Sequence, residues 1–169
     1  MASNTINLTA GQKADRKLEM HFVNVGTTGE APAWEIMGRG VEEASMEFNH
    51  DADQKTDILG ITDVDVSAAK PMLALDPNQI RGGQKLSEKL LDIERRNAIS
   101  ELSMFEVLNV HAYMGETSFT AELHKGCTIV PQSLGGSSYV GMPLNVYLSN
   151  DKDLGTATIA DGVPTFTKS

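Results

Sequence analysis

From Glu43 to Asp57 every odd position is polar, while the even positions run Ala44, Met46, Phe48, His50, Ala52 and then Gln54 and Thr56. Side chains two apart share a face of a strand, so this period of two predicts a strand with one wet and one buried face. After Ile58, Leu59 and Gly60 the alternation resumes in the same sense, with Asp63, Asp65 and Ser67 odd and Val64, Val66 and Ala68 even. Two strands joined around Asp57 to Ile61 make a hairpin over residues 41–76, longer than strands of the usual length of about five or six residues give.

The rest of the chain reads mainly as β with one helix. Residues 17–25 alternate as a first strand, 26–32 carry turn chemistry, and Trp34, Ile36 and Met37 lead into a bend at Gly38 and Gly40. Asp76 and Pro77 resemble a helix start. A clear amphipathic helix covers 84–97, with Leu86, Leu90, Leu91 and Ile93 on one side and Glu88, Lys89, Asp92, Arg95 and Arg96 on the other. Such a helix needs an apolar surface to cover, most simply a face of the sheet. Strands follow at 103–113, 118–124, 127–133, 144–148 and 156–159, with turns at Gly115 and Glu116 and at 150–155. Residues 1–16 are polar and unpatterned and read as an N-terminal arm. The 169 residues fit one domain that buries its own core without disulfides or metals.

Charge adds a second asymmetry. The chain carries a formal −9. Between Val41 and Asp76 stand nine carboxylates and two lysines, a net of −7, so most of the acidity belongs to the hairpin. An acidic protein does not grip phosphates through counterion release, which argues against a nucleic-acid-binding module but not against one that lets nucleic acid pass. The opening MASNTINLTAGQK lacks the basic and apolar regions of a secretory signal. No stretch approaches the roughly 18 to 20 apolar residues that span a bilayer, so a soluble protein that does not bind membrane is expected.

The candidate chemistry is thin. Cys127 lies in the apolar stretch CTIV and reads as a buried thiol. His50, Asp51 and Asp53 are close in sequence, but on a strand His50 points away from both aspartates, so a metal site is not expected. The run Asp151 to Gly155 lacks the closing glutamate of a calcium loop, and LGGSSYVG at 134–141 lacks the lysine and hydroxyl pair of a phosphate loop. Ser137 and Ser138 form no nucleophile elbow, and His21, His111 and His124 show no relation in sequence to a serine or to Cys127. No catalytic, cofactor or metal site is read, and the chain is not expected to be an enzyme.

The order of its motifs resembles the bacteriophage tail tube (major tail) protein family. The resemblance rests on FVNVGTT with APAWEIMGRGV, the alternating hairpin, the helix LSEKLLDIERRN, the block VLNVHAYMGETSFTAELHKGCTIVPQSLGG, and the ending GTATIADGVPTFTK. It implies a β-sandwich or barrel-like core with a flanking helix, and hexameric rings stacked into a tube whose inner barrel is built from the hairpins. A complete phage and a phage-tail-like contractile injection particle or bacteriocin both fit. The expected partners are copies of the chain and other tail proteins such as tape measure, sheath or terminator, in the virion after assembly in the host cytoplasm. DNA is expected to pass through the lumen without specific binding. Under that resemblance Glu43, Glu47, Asp51, Asp53, Asp63 and Asp65 face the lumen, where carboxylates repel phosphates. The apolar turn Asp57, Ile58, Leu59, Gly60 and Ile61 contacts a neighbouring subunit.

Overall fold

The computed structural model describes residues 4–169. Eleven strands and one α-helix are present among them: β1 (Glu19–Asn24), β2 (Trp34–Ile36), β3 (Met46–Glu47), β4 (Ala52–Thr56), β5 (Thr62–Val66), β6 (Met72–Leu75), α1 (Lys85–Arg96), β7 (Phe105–His111), β8 (Phe119–Pro131), β9 (Leu144–Tyr147), β10 (Lys152–Ala160) and β11 (Val163–Lys168). Nine strands form one antiparallel sheet in the order β2-β1-β7-β8-β9-β6-β3, with β10 and β11 branching from β8. β4 and β5 pair only with each other. The fold class is the expected one, mainly β with a curled, barrel-like sheet.

The branch is made by β8, whose first half pairs with β10 and whose second half pairs with β9. The two strands expected at 118–124 and 127–133 are therefore one, 13 residues long. Gly126, with φ +64°, sits where the β7 register shifts, Val107 facing His124 while Phe105 faces Cys127. Extra residues on one strand at a left-handed glycine form a bulge that bends the strand without ending it.

Bending β8 creates two cores. Val23, Leu73, Phe105, Val107, Ile129 and Val146 pack under Leu86, Leu90 and Ile93 of α1. Phe22, Leu108, Val110, Ala121 and Ala157 pack with Trp34 and Phe166 on the other side. β1 and β7 are the shared wall, so Phe22 and Val23, and Val107 and Leu108, are buried as adjacent pairs. A strand covered on both faces buries successive side chains and so loses its alternation of burial.

α1 begins without a side-chain cap of its own. Its first N–H groups are taken by Glu35 of β2, whose carboxylate accepts from Lys85 N at 2.7 Å and Leu86 N at 3.2 Å. A carboxylate there meets both the unpaired donors and the positive end of the helix dipole. The helix stops at Asn97, which is left-handed at φ 55°, and Ala98 N returns to Ile93 O at 3.0 Å. No helical turn forms at Asp76 and Pro77, whose peptide is cis. In the arm, Met1 to Ser3 lie outside the described residues. Beyond them Asn7 holds the chain to the β7–β8 turn, bonding Tyr113 O through its backbone and Gly115 O through its side chain.

Candidate assembly surface

The hairpin is rooted in the first core by Ala44 and Met46 on its outgoing strand and by Leu73 and Leu75 on its return. Glu43 faces Asp76, Met46 faces Leu73 and Glu47 faces Met72 at this base. Farther out, Ala52 faces Val66 and Thr56 faces Thr62. Five steps lead from Glu47 to Ala52 and six from Val66 to Met72, so the return strand carries one extra residue. Asn49, left-handed at φ 50°, marks the break on the outgoing side. Side chains bridge the gap: Asn49 Nδ2 donates to Lys70 O at 3.1 Å, His50 Nδ1 to Ser67 O at 2.9 Å, and Ser67 Oγ accepts from Asp51 N at 2.9 Å. His50 is thereby committed to the backbone.

The extra residue changes the parity of facing residues. Odd faces even at the base, and odd faces odd in the outer ribbon. Asp53, Asp63 and Asp65 consequently share one face of β4–β5 with Lys55, which lies 3.1 Å from Asp53 and 3.6 Å from Asp65. Asp51 is ion-paired with Lys70, which pulls its carboxyl below the usual range through a hydrogen bond and then through charge. Glu43 and Glu47 stand on the base, beyond the Asn49 break, beside core-facing Ala44 and Met46.

The opposite face of the ribbon carries Ala52, Gln54, Val64 and Val66, and Thr56 and Thr62 share a 3.0 Å hydrogen bond there. This corrects the expectation of a buried face, because every residue of β4 and β5 is exposed. Among the described residues no second layer covers the ribbon. At its end Asp57 Oδ1 accepts from Leu59 N and Ile61 N, closing the turn with Gly60 at φ +79°. The cap fixes a tip that leaves Ile58, Leu59 and Ile61 in solvent, Ile58 completely so.

Polar chemistry also gathers on one face of the main sheet. His111 Nδ1 meets Glu19 at 2.8 Å, His21 Nδ1 meets Asn109 Oδ1 at 2.8 Å, and His124 Nδ1 meets Ser149 O at 2.7 Å. Lys152 reaches Glu122 at 3.1 Å. His124 Nε2 lies 3.4 Å from a Glu122 carboxylate oxygen but lacks the alignment of a hydrogen bond. Three histidines unrelated in sequence thus lie on the same face of the sheet across β1, β7 and β8.

Other candidate groups are engaged or buried. Asp153 is held by Lys125 at 2.7 Å and Lys168 at 2.6 Å. Gly155 lies inside β10, where a Cβ would collide with Thr167 O and the Phe166 ring. Cys127 is fully buried, and burial pushes its thiol pKa up. Among the described residues no cluster of three His, Cys, Asp or Glu is placed to hold a metal ion, and no helix is long and apolar enough to cross a membrane.

No protein-family model and no curated protein matches the chain. Among solved structures it is similar to the tube-terminating cap of the anti-feeding prophage, with a TM-score of 0.47 and 16% identity over 89% of this chain and 99% of that chain. It is also similar to a chain of the PVC sheath–tube complex in its extended state, an extracellular contractile injection system, with a TM-score of 0.45 and 10% identity over 82% of this chain and 88% of that chain.

Proposed function

We propose that this chain is a structural subunit, not an enzyme, and that it polymerises as stacked hexameric rings into the tube of a phage tail or of a tail-like contractile injection particle. The observation that carries this reading is the β4–β5 ribbon, which has both outer edges unpaired and both faces exposed. A free ribbon of this kind is an aggregation hazard in a monomer, and pairing with identical neighbours in a closed barrel removes its edges.

Magnitudes favour assembly over repulsion. Two charges about 10 Å apart in water repel by roughly 0.4 kcal/mol before screening. Burying a branched aliphatic side chain contributes about 1.5 to 3 kcal/mol, and Ile58, Leu59, Ile61, Val64 and Val66 are all available. The acidic face then lines the lumen, where it repels DNA phosphates and lets DNA slide.

Electron microscopy of the purified protein at rising concentration tests the reading. Rings or hollow tubes are expected; a protein that stays monomeric at every concentration and salt overturns it.

A further inference from the structure

A pocket of about 370 Å³ lies at the root of the hairpin, between the start of β1, the bend after β2 and the first hairpin residues. Its lining includes the apolar Met20, Ile36 and Val41 and the cations Arg16, Lys17 and Arg39. The Arg16 guanidinium is fixed by carbonyl groups, donating to Glu19 O at 2.7 Å and to Ala44 O at 3.0 Å. Among the described residues neither Arg16 nor Arg39 has a carboxylate ion-pair partner, while Lys17 meets only exposed Asp15 at 3.6 Å. Of the two carboxylates in the lining, Glu19 is committed to His111, which leaves Glu42 against three cations.

The far end of the same hairpin is its chemical complement. Ile58 and Leu59 are exposed, and the ribbon behind them bears four aspartates against one lysine, a net of −3. A cavity of about 150 Å³ accepts a benzene-sized group, so the root pocket has room for two aliphatic side chains. Tip and pocket are roughly 40 Å apart along the hairpin at strand rise, so they cannot meet within one copy. The larger groove beside Trp34, about 940 Å³, has Glu30 and Glu106 as well as Lys89 in its lining and offers an acidic tip no excess of positive charge.

We propose that the root pocket receives the hairpin tip of a second copy, with Ile58 and Leu59 against its apolar residues and Arg16, Lys17 and Arg39 facing Asp57 and Asp63. The contact is head to tail, each copy donating a tip and accepting another, which propagates a stack without a fixed end. The inference rests on the tube reading and names the surface through which successive rings join.

Charge reversal tests it. Arg39→Glu and Asp63→Lys, each alone, are expected to raise the protein concentration needed for stacking about tenfold, as like charges across an interface do, and the two together to restore it. Circular dichroism and thermal melting check that each variant folds. Arg39→Glu assembling like the parent, or a double variant no better than the singles, overturns the pocket and leaves the tube standing. A parent that forms neither rings nor tubes counts instead against the tube itself. Head-to-tail pairing is read separately from Leu59→Cys with Val41→Cys. The two thiols are too far apart to bridge within one copy, so oxidation is expected to give a ladder of linked chains. Monomers alone after oxidation overturn the inference.

Discussion

Asp53 lies directly across the ribbon from Asp65, and the Lys55 ammonium sits between them. Like charges in facing positions destabilise a strand pair, and one exposed lysine offsets that by at most about 1 kcal/mol. In a closed ring the same face is repeated by every copy. Replacing Glu47, Asp51 and Asp65, which take no part in the proposed stacking contact, by their amides is therefore expected to let subunits assemble at lower salt, since screening over about 8 Å at physiological ionic strength no longer has to relieve the crowding. Light scattering across a salt series, parent beside variant, measures it. An unchanged salt dependence removes the acidic face from the lumen.

The apolar tip should matter to assembly and not to folding. Ile58→Ser with Leu59→Ser removes no buried contact, so the melting temperature should stay near the parent's, within about 0.5 kcal/mol of stability. Tube growth should fail or slow strongly. Normal growth in electron micrographs would show that the tip meets nothing.

The cap donated by Glu35 to α1 predicts a fold defect separable from assembly. Glu35→Ala leaves the Lys85 and Leu86 N–H groups without that partner and is expected to cost about 1 kcal/mol, the usual loss at a helix N-terminus. Urea unfolding of the monomer reads this directly, and an unchanged midpoint would mean that water replaces the carboxylate at no cost.

The histidine face sets the pH dependence. The Glu19 hydrogen bond raises the pKa of His111 against burial, so that pair's contribution is fully present below 6.5 and is lost as pH rises through the raised folded value. Burial opposes the Glu19 charge, but the His111 hydrogen bond and charge outweigh it and lower the Glu19 pKa. Burial lowers the pKa of His21, so its contribution is present above 6.5 and lost as pH falls. Glu122, beside His124 and Lys152, is held down to about 2 from an ordinary 4.5, so its contribution is present above 4.5 and lost as pH falls through about 2. Glu122→Gln should flatten the acid limb of stability against pH, and His111→Asn should flatten the slope above 6.5. Denaturant midpoints from pH 8 to pH 3 follow both. Identical profiles for parent and variants would place the pH dependence elsewhere.

How much of this could be read from the sequence differs by element. α1 was legible because Leu86, Leu90 and Ile93 repeat at helical spacing, and the hairpin because its parity is strict over both strands. Its burial was not legible: a period of two reports two chemically different faces but not whether anything covers either. The strands expected at 118–124 and 127–133 are one, because β8 bends at Gly126 and continues. β11 is not legible, because VPTFTK contains Pro164 and little alternation. The histidine face was invisible for a topological reason, since Glu19, His111 and Glu122 meet only through the register of three strands. The cations of the root pocket are equally hidden, because Arg16 lies in the unpatterned arm and Arg39 in the bend after β2, and only folding brings them together.

The one-residue excess on the return strand makes the hairpin a ruler with a fixed graduation. Adding two residues to each strand of the outer ribbon keeps every aspartate on its own side and moves the tip by roughly 6.6 Å. Adding one to each exchanges the two sides, turning valines to where the aspartates stood. A homologue that keeps the acidic face on its own side is therefore expected to differ in ribbon length by an even number of residues per strand.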